Sequence, residues 1–365
     1  MNFNTIFLKS FRVLLLPFAI IYGIIIFIRN KCFDKHWLAS AHFNFPIICV
    51  GNLAVGGTGK SPMVEYLIEL LKPTFKIATL SRGYKRKTKG YALANSNSTA
   101  LEIGDEPMQF YQKHPDIAVA VGEERIVAIP HLIQDLPDLQ TIILDDAFQH
   151  RSVNAGFNIL LTEFSNIYTR DFFLPTGDLR DEKASAHRAQ IIIVTKCPPD
   201  LTEQKKLEIL REIKPLPMQR VFFTTIQYDT PYHIVNTSAK YTITQNDEVL
   251  LVCGIANPKP LKDFLLHHTA AYYQQDFSDH HIFSIDDLKE IINKYESIQT
   301  SNKLILTTEK DAVRLAKFNE QLTNIPLYVI PIRHHFLFDE GTQFDEMVVK
   351  FIQHFNFNPA QYEKK

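Results

Sequence analysis

The run IICVGNLAVGGTGKSP, residues 47–62, reads as a strand, a glycine-rich turn and the start of a helix. Ile47–Val50 is a short apolar segment of the kind a sheet buries. Gly56, Gly57 and Gly59 let the backbone of Ala54-Val55-Gly56-Gly57-Thr58-Gly59-Lys60-Ser61 turn its N–H groups inward around an anion, and the following helix adds its dipole. Pro62 gives up an N–H that the first helical turn does not use. In such a P-loop Lys60 reaches the β- and γ-phosphates of a nucleotide, and the Ser61 hydroxyl sits on Mg²⁺. Ala54 stands where the strict pattern has glycine. A turn that binds nothing is the competing reading, and GGTGKS directly after a strand argues against it.

A P-loop calls for a metal partner. TIILDD, residues 141–146, is an apolar strand ending in Asp145 and Asp146, whose carboxylates can orient Mg²⁺ or its water. AFQHR, residues 147–151, continues at the strand's C-terminal end, the edge where open α/β sheets bind ligands. Two acids at a strand end also make a plain cap or turn. Together the two motifs indicate a P-loop hydrolase or transferase without saying which.

Further strand-like runs lie at 76–80, 117–121, 158–161 and 190–195, with amphipathic segments such as 62–71 and 124–132 between them. This alternation predicts an α/β fold: a P-loop NTPase-like parallel sheet with helices on both faces. VFFTTIQY and YTIT, within 220–248, have no helix between them and suggest a two-stranded linker. A second strand–helix series follows. The expected units are an N-terminal membrane-associating helix (1–36), a P-loop kinase domain (37–219), the linker (220–248), a smaller α/β domain (249–350) and a tail (351–365).

The 365 residues balance 39 Lys and Arg against 40 Asp and Glu, a net charge of −1, so no bulk basicity points to nucleic acid. Hydrophobic residues at 45% supply ordinary cores and exclude wholesale disorder. Cys32, Cys49, Cys197 and Cys253 are scattered without a CxxC pair, which fits buried thiols in a reducing compartment. Val13–Ile28 is sixteen residues without a charge, flanked by Lys9 and Arg12 before it and Arg29, Lys31 and Lys35 after it. As a helix it reaches about 24 Å, short of a ~30 Å hydrocarbon core. No small-residue cleavage site follows, and a buried core helix is the alternative. Basic flanks favour a membrane anchor, spanning or interfacial.

Residues that handle the acceptor are less marked. In GDEP, 104–107, Asp105 reads as a helix cap or as a carboxylate able to take a hydroxyl proton. The DHH run, 279–281, follows an aromatic stretch and has no zinc-ligand spacing. SRGYKRKTK, 81–89, carries five basic residues and no acid; Arg82 and its neighbours suit phosphate groups or anionic headgroups, or a solvated loop. Arg125 and Arg180 suit phosphate charge or surface ion pairs.

The constellation resembles the tetraacyldisaccharide 4′-kinases of lipid A biosynthesis. The segments that carry the resemblance are GNLAVGGTGKSP (51–62), LSRGYKR (80–86), GDEPM (104–108), VGEERI (121–126), ILDDAFQHR (143–151), LPTGDLRD (174–181), CGIANP (253–258), FSDHHIFS (277–284) and LTTEKDAVRL (306–315). They come in the family's order and, with the N-terminal segment, cover nearly the whole chain. At position 181 the chain has Asp where many relatives have Glu.

The resemblance implies transfer of the γ-phosphoryl group of ATP to the 4′-hydroxyl of tetraacyldisaccharide 1-phosphate, giving lipid IVA. It implies Asp105 as base toward the sugar hydroxyl with help from His280, Lys60 and Ser61 on ATP and Mg²⁺, and Asp145 and Asp146 on the metal and its water. Arg82, Tyr84, Arg125, Gln149 and Arg180 are then expected to line the substrate side. The expected setting is the cytoplasmic face of the inner membrane of a Gram-negative-type bacterium, with the lipidated disaccharide and that membrane as partners and neither nucleic acid nor a protein partner. A membrane-bound nucleotide switch is the rival, but its signature lysine would fall where Ala54 and Val55 stand. TKCP, 195–198, has Pro198 where guanine recognition needs a carboxylate. A kinase for a soluble substrate leaves the apolar N-terminus unexplained.

Overall fold

The computed structural model describes residues 12–355, so Lys9 and positions 356–365 of the expected tail lie outside the described residues. The strands are β1 (Ala41–His42), β2 (Ile47–Asn52), β3 (Ile77–Ser81), β4 (Ala92–Leu93), β5 (Ala118–Val121), β6 (Thr141–Asp145), β7 (Val153–Asn154), β8 (Phe157–Glu163), β9 (Ile191–Thr195), β10 (Arg220–Tyr228), β11 (Tyr232–His233), β12 (Glu248–Cys253), β13 (Ala271–Asp276), β14 (Lys303–Thr308), β15 (Leu327–Ile330) and β16 (Ile332–Phe336).

One large sheet has the order β16-β10-β9-β8-β2-β6-β3-β5-β4. Its inner pairings are parallel, and only the edge strands β4 and β16 run antiparallel. The strands β2, β6 and β9 are buried at every residue, as expected for a parallel sheet covered on both faces. β2 and β6 are neighbours, with Val50 opposite Asp145, so the P-loop and the two aspartates leave the same edge. Because β8, β9 and β10 extend the sheet on the other side of β2, that edge is a topological switch point, where a crevice for ligand opens.

A smaller sheet, β11-β15-β14-β12-β13, is parallel except for β11. Leu261 and Leu265 of helix Lys259–His268 cover one face, and Leu288 and Ile291 of helix Ile285–Glu296 cover the other. The chain passes between the two sheets twice, from β10 to β11 and from β15 to β16.

That second passage differs from the sequence expectation. Arg220–Tyr228 is extended, but it is a full member of the large sheet and its antiparallel partner is β16, not Tyr241–Thr244. The segment after β15 leaves the smaller sheet, and helix Gly341–Gln353 packs beside the P-loop helix Lys60–Leu71. Phe336, Phe344, Val348 and Ile352 share one buried cluster with Val64, Leu67 and Phe222. Burial of each such aromatic side chain stabilises by roughly 1.5–3 kcal/mol, which is why the chain end returns here.

The N-terminal apolar segment forms helix Leu16–Asp34, long and apolar enough by length and composition to cross a membrane. It lies along the large unit, tied at both ends. Arg12 pairs with Asp178 at 2.8 Å, and Asn30 Nδ2 donates to Asp181 and Glu182, both at 2.8 Å. Between these ties the ring of Phe173 fits against Gly23, where an added Cβ would come within 2.8 Å of the ring. Phe18, Ile21, Ile24, Ile25 and Ile28 remain exposed, as does Phe172 in the loop beside the helix.

Candidate active site

The P-loop runs from Ala54 into the helix beginning at Lys60. Gly56 and Gly59 have φ of 107° and 86°, a region that disfavours a side chain, and Gly56 and Gly57 face open space where a phosphate can approach. The loop is held from several sides. Asn52 Nδ2 donates to Thr58 Oγ1 at 2.9 Å, and Thr195 Oγ1 at the end of β9 donates to the Thr58 carbonyl at 2.9 Å.

Asp145 ends β6 and is buried, and its Oδ1 has no hydrogen-bond partner among the described residues. Burial, reinforced by the charges of Glu106 and Asp146, pushes its pKa up to about 7. Asp146 follows in a left-handed conformation (φ 48°) and turns toward cations: Lys60 Nζ lies 3.8 Å from its Oδ1, and Arg180 Nη1 donates to its Oδ2 at 3.2 Å. Burial raises the Asp146 pKa, but Lys60 and Arg180 outweigh it and hold the group low. Arg125 is buried beneath this pair, bonded to the carbonyls of Gly122 and, at 3.4 Å, Asp145. Burial lowers its pKa to about 10. Gln149 Nε2 donates to the Asn52 carbonyl at 2.6 Å, which fixes the loop after β6 to the end of β2.

Asp105 does not cap its helix. Gly104, with φ 97°, occupies the cap, Asp105 begins the helix, and its carboxylate is free to point away. Oδ2 accepts from Arg314 Nη2 at 2.7 Å and Nε at 3.0 Å, and lies 3.1 Å from His280 Nδ1. Burial raises the Asp105 pKa, but the Arg314 and His280 contacts outweigh it and hold the carboxyl below its usual range. His280 sits at φ 64° with the exposed ring of Tyr84 6.0 Å away. Its neighbour is occupied elsewhere: His281 Nε2 lies 3.0 Å from Asp287, and its ring stacks on Phe277. Of the two, His280 is the one brought to Asp105.

Three further residues join the site that sequence reasoning did not single out. Glu106 Oε1 accepts from Ser61 Oγ at 2.8 Å and from Lys310 Nζ at 3.1 Å. Lys310 and Arg314 stand four apart on helix Glu309–Leu315, hence on one face, and meet Glu106 and Asp105 of the large unit. That i, i+4 spacing of cations within EKDAVRL was the available signal. Thr308 accepts from the Asp311 backbone N–H at 3.2 Å and so caps this helix, while Asp311 also accepts from Gly254 N–H at 3.0 Å. Arg82 is exposed, and its charge is felt at Arg125 and at His150, whose pKa burial lowers to about 4 with help from both cations.

Among the described residues no group of three His, Cys, Asp or Glu side chains forms a metal cage. The donor set fits Mg²⁺ all the same, since that ion uses one or two carboxylates together with substrate phosphates. A buried carboxylate oxygen without a partner at Asp145, beside the Ser61 hydroxyl's P-loop, is the observation that fits it.

The family model described as LpxK, tetraacyldisaccharide-1-P 4′-kinase, matches residues 11–353. The chain is 46% identical over 342 residues to a tetraacyldisaccharide 4′-kinase of Flavobacterium johnsoniae, covering 94% of this chain and 97% of the relative. It is 38% identical to the one of Bacteroides thetaiotaomicron, covering 96% of each. Among solved structures it is similar to the "apo" form of LpxK from Aquifex aeolicus in complex with ATP, with a TM-score of 0.73, 26% identity, and 94% of this chain and 99% of that one covered.

Proposed function

Because this chain belongs to the LpxK family of tetraacyldisaccharide-1-P 4′-kinases, we propose that Asp105 and His280 receive the sugar hydroxyl in the reaction that membership gives it. The chain is an ATP-dependent kinase of lipid A biosynthesis that phosphorylates the 4′-hydroxyl of tetraacyldisaccharide 1-phosphate to give lipid IVA. What supports the site assignment is the meeting of Asp105 with His280 and Arg314, one helical residue away from the Glu106–Ser61 contact at the P-loop.

The P-loop N–H groups and Lys60 bind the ATP phosphates, and Arg180 and Arg125 offset further negative charge on that side. Asp105 orients the 4′-hydroxyl for in-line attack. As the new P–O4′ bond forms and the bond to the β-phosphate oxygen breaks, the hydroxyl proton passes to Asp105, and His280 takes up or relays it. A carboxylate held low by Arg314 is a weak base, so its larger contribution is positioning, in keeping with a loose transition state. Mg²⁺, when bound, spreads charge across the transferring phosphoryl group, and Ser61 with Asp145 or Asp146 would hold it.

The enzyme works at the cytoplasmic face of the inner membrane, where ATP and the lipid meet. Ties at both ends of helix Leu16–Asp34 to one globular unit support an orientation along the membrane surface, with Phe172 beside it, rather than through the bilayer. Purified protein with γ-labelled ATP, Mg²⁺ and tetraacyldisaccharide 1-phosphate tests the whole reading. Label is expected on the lipid and strongly reduced in Asp105→Ala; full activity of that variant removes Asp105 from the acceptor side.

A further inference from the structure

His334 of β16 stands behind the P-loop, fully enclosed, and the sequence gives no motif around it. Its Nε2 lies 2.9 Å from the carbonyl oxygen of Gly59, and a carbonyl has no hydrogen to give, so Nε2 carries the proton. Nδ1 is then the acceptor, and Thr224 Oγ1 of β10 donates to it at 2.9 Å. Burial, with the nearby Lys196 charge, pushes the ring's pKa down to about 4, so one neutral tautomer persists near neutral pH. The ring also walls the loop, since a Cβ on Gly59 would sit 3.0 Å from it.

In a planar trans peptide the C=O and the following N–H point in opposite directions. The Gly59 carbonyl accepts from the Met63 N–H at 3.2 Å in the first helical turn and from His334 Nε2 on the β16 side, and with the carbonyl held by both, the Lys60 N–H of the same peptide points the opposite way, toward the open side of the loop. Thr195 does the same one peptide earlier: it draws back the Thr58 carbonyl and aims the Gly59 N–H forward. These N–H groups open a helix, where no carbonyl within the helix can use them. Two successive donors are thus set before an anion arrives.

We propose that His334 is a positioning residue for the nucleotide: it orients the Gly59–Lys60 peptide so that its N–H meets a phosphate of ATP. The proposal rests on the reading of the P-loop as the ATP site. Its chemistry is that of preorganisation, in which the loop does not reorient its peptides on binding.

The experiment uses the full chain with MgATP and the lipid acceptor, measuring kcat, KM for each substrate, direct ATP binding and the thermal midpoint. His334→Phe keeps a buried ring without the donor, while His334→Gln carries an amide N–H at about the reach of Nε2. Loss of one such bond is expected to weaken ATP binding and raise KM for ATP about tenfold in His334→Phe. KM for the lipid should stay within about twofold, and His334→Gln should recover most of the ATP affinity. Unchanged ATP affinity in His334→Phe overturns the proposal, as does a Gln variant impaired as much as Phe. Should Phe prevent folding, His334→Asn, whose amide reaches only the Nδ1 position, replaces it: Gln and Asn equally impaired overturns the proposal, Gln alone near normal supports it. Lys60→Ala runs alongside, and if that variant binds and turns over ATP normally, it is the P-loop reading that has failed.

Discussion

Asp105 and Arg314 belong to units built on different sheets, yet their side chains meet at 2.7 Å. The carboxylate proposed to receive the acceptor hydroxyl is therefore held by Arg314 and His280 of the second unit. In Arg314→Gln, burial is opposed by His280 alone and the Asp105 pKa rises. A depressed carboxyl pKa keeps the group ionised down to lower pH, so its loss moves the acid limb of the kcat/KM profile upward. The pH–rate profiles of the two proteins check this, and an unmoved limb excludes Asp105 as the ionising group.

His280 and His281 are adjacent but do different things. His280→Gln should lower kcat by about 10²-fold, the usual scale for a group that helps move a proton. His281→Gln loses the contact with Asp287, the stacking on Phe277 and the edge contact with Phe283, none of them at Asp105, so kcat should stay within a few-fold while the thermal midpoint falls slightly.

Asp145 is a buried carboxylate whose Oδ1 has no hydrogen-bond partner among the described residues, and its folded pKa of about 7 lies above the unfolded value. Such a group lowers stability as pH rises from the unfolded pKa through the folded one, because the unfolded chain gives up the proton first. In the absence of nucleotide and metal, Asp145→Asn should therefore raise the midpoint at pH 8, by about 1–3 kcal/mol of stability. The same variant should lose Mg²⁺-dependent phosphoryl transfer, and chelation of Mg²⁺ should stop the wild-type reaction. Calorimetry and the labelled-ATP assay read both halves.

Lys113 lies between two buried carboxylates, Glu65 of the P-loop helix and Glu309 of the second unit, at 2.5 Å from each. Burial, with Glu65 beside it, pushes Glu309 up to about 7. Lys113→Met leaves both carboxylates without their cation and should cost about 3–5 kcal/mol. Denaturant unfolding measures it. Lys113→Met with Glu65→Gln should recover a part, because one of the uncompensated charges is then removed.

Ile24 and Phe172 are exposed at 53% and 61% and make no core. Ile24→Asp and Phe172→Asp should each weaken binding to anionic vesicles in sedimentation by about 30-fold while leaving the thermal midpoint unchanged, since about 2 kcal/mol of apolar burial is lost only in lipid. Loss of vesicle binding in Ile24→Asp alone would place Phe172 outside the bilayer surface.

The P-loop, its strand and the paired aspartates were legible because each is a contiguous run whose chemistry is local. The same holds for the apolar N-terminal helix, whose composition is enough. The large sheet was less so: VFFTTIQY looks like a connector when no helix follows it, and its partner IRHHF lies beyond the whole second unit, at a separation that no local period reveals. His334 and His335 show the two-residue alternation of a strand, the first buried and the second exposed. Short strands carry that signal weakly. Glu106, Lys310 and Arg314 left only a faint trace, the i, i+4 spacing of the two cations, because charged side chains on short helices look like caps and surface pairs until the other unit is placed against them.

The return of β16 to β10 makes the smaller unit an insertion within the nucleotide-binding fold, not an appended domain. Tyr228 and Ile332 are directly paired across the two strands, so a short turn joining them would close a hairpin and leave the large sheet whole. Cutting the chain after β10 would instead remove the sheet's edge, the helix that covers it and the imidazole behind the P-loop. During synthesis the nucleotide-binding unit is likewise finished last, after the unit it encloses.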